Sequence, residues 1–131
     1  MTDEEFEKLV AEGIDALPES VHEKIKNVAV VIEAYPSEET RREQKLRHGS
    51  TLLGLYRGIP RIARDTNYGV GATMPDVITI YREPILALSG SDPGRIRQMV
   101  EDTVWHEFGH YMGLNEAEVR AREKERKHGK L

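Results

Sequence analysis

Apolar positions recur at helical spacing near the start of the chain, where Phe6, Leu9, Val10, Gly13, Ile14 and Leu17 share one face. Thr2 and Glu5 form a capping box ahead of them, and Pro18 closes the helix. Residues 18–26 turn the chain. The period then changes. Residues 27–34, NVAVVIEA, are continuous and β-branched, which predicts a buried strand ended by Pro36. Residues 37–49, SEETRREQKLRHG, are charged throughout and read as a short helix or an exposed, solvated connection. Residues 50–62, STLLGLYRGIPRI, suggest a second strand through Leu53, Leu55 and Tyr56, broken by Gly58 and Pro60, and residues 67–75 read as loop.

Residues 76–85, DVITIYREPI, give the next strand pattern. Pro84 cannot donate a ladder hydrogen bond, which favours an edge or a strand end there. Asp92 as cap and Pro93 in the first turn announce a helix that runs to about Met112 and stops at Gly113. Asn115 caps a last helix, which ends in the basic tail KERKHGK. Helices and strands are segregated rather than alternating, so the fold class expected is α+β, with one domain over residues 1–131.

Composition narrows the chemistry. A net charge of −4 argues against nucleic acid as the main partner, because phosphate binding needs a basic field. There is no cysteine, so a bound metal has only imidazole and carboxylate ligands to draw on. The start of the chain is acidic, unlike a signal peptide, and no apolar run reaches membrane-spanning length. The expectation is a cytoplasmic protein without a membrane partner. Composition does not address the oligomeric state.

One segment carries candidate chemistry. Residues 106–116 read HEFGHYMGLNE and contain His106-Glu107-x-x-His110 on the long helix. Residues four apart on a helix lie one above the other, so the two imidazoles can converge on one zinc at ~2.0–2.1 Å each. Glu107 is displaced about 100° around the axis, beside the metal rather than on it. It is the candidate general base for a zinc-activated water. Gly113 can turn the chain and return Glu116 as a third ligand, giving HExxHxxGxxE. Glu118 and Glu123 on the last helix are rival ligands. Upstream, Ile96, Met99, Val100 and Thr103 continue the same stripe, so one helix face changes from apolar to ionisable.

With these residues in hand, the chain resembles the minimal zincins, short bacterial zincin-like metallopeptidases. The carrying segments are LLGLYRGIP at 52–60, DVITIYREPI at 76–85 and TVWHEFGHYMGLNE at 103–116, spread over about half of the chain. The resemblance implies a small mixed sheet packed against the metal-binding helix, with an N-terminal helix and a short C-terminal one. It also implies zinc on His106 and His110 with Glu107 as base. The family commonly has Asp at the third-ligand position, where this chain has Glu116. No methionine follows Met112, so the Met-turn of larger relatives is not expected.

The leading functional expectation is therefore a zinc peptidase acting on peptides or proteins. A zinc-stabilised module that binds peptides without cutting them is the alternative. A regulator completed by a partner is a third. Residues 76–85 are the candidate sheet edge for strand-like substrate binding, with an interior position equally open. Tyr111, Tyr56, Tyr68 and Tyr81 are candidate oxyanion donors, although packing is the ordinary role for such residues. Arg57, Arg61, Arg64 and Arg82 could meet substrate carboxylates but fit a solvated basic face as well. Trp105 is assigned to the core.

Overall fold

The computed structural model describes residues 1–25, 28–47, 49–58, 76–113 and 115–129, without the side chains of Glu116 and of residues 125–129. The expected loop at 67–75 and the end of the 50–62 segment lie outside the described residues, as does Asn27. Six helices and three strands are present among the described residues: α1 (Asp3–Asp15), α2 (Glu19–Ile25), β1 (Val28–Glu33), α3 (Glu38–Glu43), β2 (Gly54–Arg57), β3 (Asp76–Tyr81), α4 (Arg82–Ser89), α5 (Pro93–Tyr111) and α6 (Glu116–Gly129). The fold is α+β with a small mixed sheet, as the sequence implies. No described helix is long and apolar enough to cross a membrane.

The local signals act where the residues place them. Thr2 Oγ1 accepts from Glu5 N at 3.1 Å and starts α1. Residues 18–26, read as a turn, contain the short helix α2, which buries Val21 and Ile25. In the charged stretch, Ser37 Oγ accepts from Thr40 N at 3.1 Å and caps α3. Asp92 Oδ2 accepts from Arg95 N at 2.9 Å and opens α5, with Pro93 in its first turn. Each cap satisfies an amide that has no partner within its own helix.

The sheet order is β1-β3-β2, with β3 parallel to β1 and antiparallel to β2. Of the two positions left open for residues 76–85, edge and interior, the interior one holds: β3 is the central strand. Its apolar residues run without alternation because both faces are covered. Ile78 and Ile80 are fully buried on one face, and Thr79 and Tyr81 are buried on the other. The strand is also shorter than expected, since residues 82–85 begin α4. Pro84 has no N–H to give a sheet, yet the first turn of a helix does not need one. Gly90, left-handed at φ 63°, ends α4. Among the described residues β2 is bordered by a strand on one side only, and it is the antiparallel edge of the sheet.

Helix α5 lies against the sheet and against α1. Ile96, Val100 and Val104 are fully buried with Ile78, Ile80, Ile85 and Phe6 in one core. Two glycines permit close approach. A Cβ on Gly13 would stand 2.9 Å from the Arg97 carbonyl oxygen, and one on Gly54 would stand 2.5 Å from Thr103 Cγ2. The first sets α1 onto α5, and the second sets β2 onto α5. The N-terminal part of α5 is thus fixed in the core. Its C-terminal part is held beside the outer edge of β2.

Candidate metal centre

His106, Glu107 and His110 stand together on the last two turns of α5. Each offers a nitrogen or oxygen atom within 4.8 Å of the others, so the group could hold a metal ion. The imidazole centroids are 5.2 Å apart, as the four-residue helical spacing dictates. The Glu107 side chain is 10% exposed and that of His106 is 25% exposed. Polar side chains shielded in this way could meet a cation in a lower dielectric than water while leaving an approach from solvent. Two imidazoles plus carboxylates, with no thiolate, form a donor set that suits zinc.

The two nitrogens of His106 have different surroundings. Nε2 faces the site, 4.0 Å from Glu107 Oε2. Nδ1 faces the other way and lies 2.6 Å from Glu123 Oε1 on α6. Glu107 is likewise divided. Its Oε1 accepts the backbone N–H of Tyr56 at 2.8 Å, and its Oε2 is the oxygen turned towards His106.

The bond from Tyr56 follows from the sheet register. Tyr81 N donates to Leu53 O at 2.9 Å, so 53 and 81 form a hydrogen-bonded pair. In an antiparallel ladder such pairs alternate with pairs whose backbone groups point outwards. Gly54 opposite Ile80 and Tyr56 opposite Ile78 are of the second kind. Their N–H and C=O groups face away from β3, towards α5. Glu107 fills one of these positions.

A cleft of about 610 Å³ opens at this place. Residues 51–54 form one wall, Met99, Thr103, His106 and Glu107 on α5 form the floor, and Arg120 and Glu123 on α6 close the far side. Met99, expected on the buried stripe, packs partly buried against the core and also borders the cleft.

The rival ligands separate. Glu118 Oε1 accepts from Asn115 N at 3.1 Å while Asn115 Oδ1 accepts from Glu118 N at 2.9 Å. This reciprocal pair is a capping box, and it directs Glu118 to the helix start. Glu123 is in the site but on the Nδ1 side of His106. The side chain of Glu116 lies outside the described residues. Its backbone opens α6, three residues after Gly113, whose φ of 87° turns the chain.

Other candidates fall elsewhere. Tyr111 is buried, with its ring edge-on to Tyr56 at 5.8 Å. The Tyr56 hydroxyl donates to Asp76 Oδ1 at 3.0 Å, so its amide rather than its phenol reaches the site. Tyr81 is buried at the end of β3 and does not line the cleft. Burial, and then the nearby Glu33 carboxylate, hold its phenol above the ordinary range, so it stays protonated at neutral pH. Arg57 bonds Thr40 and Glu43, and Arg82 pairs with Asp3 and Glu83. Tyr68, Arg61 and Arg64 lie outside the described residues. Trp105 is partly buried and packs against the core, as expected, with its ring centroid 6.0 Å from that of Phe108.

Sequence reading missed the Tyr56 amide, Arg120 in the cleft, and the position of Glu123 behind His106. A partial signal existed for the last. Val119 and Glu123 are four residues apart on α6 and so share a face. Gly109, inside the motif, admits that face, because a Cβ there would stand 2.6 Å from Val119 Cγ2.

Comparison with known proteins agrees with the fold. A conserved hypothetical protein from Thermo thermophilus has the same fold, with a TM-score of 0.53 and 24% identity over 86% of this chain and 94% of that one. No protein of curated function matches the chain. The sequence profile of zincin-like metallopeptidases matches residues 25–126, which include all three strands and the whole motif helix. The chain belongs to the zincin-like metallopeptidase family.

Proposed function

We propose that the protein is a zinc-dependent peptidase that hydrolyses peptide bonds in the cleft between β2 and α6. The observation that carries this reading is the division of labour at Glu107. One of its oxygens is anchored by the Tyr56 amide, and the other faces the metal-binding nitrogen of His106. A carboxylate held in this way is oriented as a base beside the ion rather than as a ligand around it. His106 and His110 hold the metal, with Glu116 as third ligand. When bound, zinc acidifies a water and polarises the scissile carbonyl.

The chain's own groups do the rest. The second oxygen of Glu107, Oε2, accepts a proton from the attacking water as the oxygen of that water bonds to the carbonyl carbon. Glu107 then delivers that proton to the nitrogen as the C–N bond breaks. The outward N–H and C=O of Gly54 are placed to pair with an extended peptide, which would add as a strand along the outer edge of β2 beside the Tyr56–Glu107 bond. Leu52, Leu53 and Met99 give that peptide an apolar surface.

The test is incubation of zinc-loaded protein with a peptide library, followed by mass spectrometry. New termini that vanish with chelator and return with zinc are expected. Peptides retained but uncut would instead make this a binding module. The third ligand is checked separately. Glu116→Ala should weaken zinc binding at least tenfold, whereas Glu118→Ala should cost only a helix cap, about 1 kcal/mol. Equal zinc affinity in Glu116→Ala and the parent would remove Glu116 from the site.

A further inference from the structure

Zinc binding by His106 requires a particular ring state. Nε2 must present its lone pair to the ion, so the proton of the neutral imidazole must sit on Nδ1. Which nitrogen carries that proton is set by the partner of the other one. In this chain the partner is Glu123, with its Oε1 at 2.6 Å from Nδ1. The contact is partly shielded, with side-chain exposures of 25% and 28%. It spans two helices, so it exists only while α6 is docked on α5.

The docking is itself built into the motif. Gly109 stands between the two histidines, and Val119 packs where its side chain would be, with 2% exposure. Glu123 follows Val119 by one helical turn, which carries it to His106, one turn before His110 on the facing helix. The Asn115–Glu118 capping box fixes the start of α6 and so the height of Glu123 along it.

We infer that Glu123 is a positioning residue for the metal site: it accepts the Nδ1 proton of His106, locks the ring with Nε2 towards the metal, and acts only while α6 is seated against Gly109. This rests on the zinc reading of His106 but not on peptide cleavage. It also resolves the rivalry between Glu116 and Glu123 by giving them different tasks. Such partners behind a metal-binding histidine are worth tenfold to a hundredfold in metal affinity.

The experiment measures zinc affinity of the full chain by competition with a chromophoric chelator, in the parent, Glu123→Ala, Glu123→Gln and Gly109→Ala. In parallel, 15N spectra of the zinc-free proteins report which nitrogen of His106 is protonated. Glu123→Ala should raise the zinc dissociation constant tenfold to a hundredfold and shift His106 away from the Nδ1–H tautomer before any metal is added. Glu123→Gln keeps a neutral acceptor, so its loss should be smaller and its tautomer retained. X-ray absorption should find the same number of zinc ligands in parent and Glu123→Ala.

A dissociation constant within twofold of the parent, with His106 unchanged, would overturn the inference. So would the loss of one oxygen ligand in Glu123→Ala, which would make Glu123 a ligand itself. Gly109→Ala should weaken zinc through displacement of α6, and unchanged affinity there would refute the packing that seats Glu123. If zinc affinity responds as expected but no peptide is ever cut, this inference stands and only the peptidase reading falls. If the parent binds no zinc, both fall.

Discussion

Glu107→Gln should lower peptide hydrolysis by about 10²–10⁴-fold while leaving zinc bound with nearly unchanged affinity. The expected size is that of a lost general base, and it corresponds to about 3–5 kcal/mol in the barrier. The amide has the shape of the carboxylate, and its oxygen can still accept the Tyr56 N–H, 2.8 Å from Oε1 in the parent. That bond fixes the orientation of the new side chain, because an amide nitrogen facing another N–H would be repelled. The NH₂ group is therefore the atom turned towards His106. It cannot take a proton from water, so the step proposed for Glu107 is removed while its placement is kept. Both histidines are untouched. Turnover of a fluorogenic peptide and zinc content by mass spectrometry should be measured on the same preparation. Equal turnover in variant and parent would mean that Glu107 is not the base.

What could be read in the sequence was mostly what helices encode locally. The motif helix announces itself at both ends, with Asp92 and Pro93 at the start and Gly113 at φ 87° after its end. Within it, a spacing of four residues is enough to place His106 above His110. One local signal was present and passed over. Asn115 and Glu118 have the same spacing as Thr2 and Glu5, and both pairs cap helices. Reading the second pair as the first was read would have set Glu118 aside as a ligand.

Sheet order was not legible, because strand neighbours are chosen by packing across the fold. The central position of β3 left only the trace of an unbroken apolar run, which a short buried helix also produces. The change from β3 to α4 was obscured because Pro84 suits a strand end and a first helical turn equally. The working parts of the site are non-local. Tyr56 lies 51 residues before Glu107, and Glu123 lies 17 residues after His106. No periodicity connects residues so far apart. The fold therefore supplies what the motif cannot: an anchor for Glu107 and a partner for His106.

Removal of zinc should lower the melting temperature by about 10 °C without unfolding the chain at room temperature. At a free zinc concentration ~100 times the dissociation constant, binding only to the folded state adds about 2.7 kcal/mol. For a chain of this length each kcal/mol is worth roughly 3–5 °C in the melting temperature. The core does not depend on the ion. Ile78, Ile80, Ile96 and Val100 are fully buried in the apolar cluster that joins the sheet to the first half of α5. The part that does depend on it is α6, which meets α5 through Val119 against Gly109 and through Glu123 against His106. Amide exchange should accordingly rise first in α6 when chelator is added, while β1, β3 and the first half of α5 stay protected. His106→Ala and His110→Ala should each abolish the response to chelator, since neither leaves a full ligand set. The dependence on pH has a fixed sign: protons compete with the metal for the same nitrogens, so the chelator effect should shrink as acid removes zinc beforehand. A melting temperature unchanged by chelator, in protein shown to have carried zinc, would mean that the ion is not coupled to the fold.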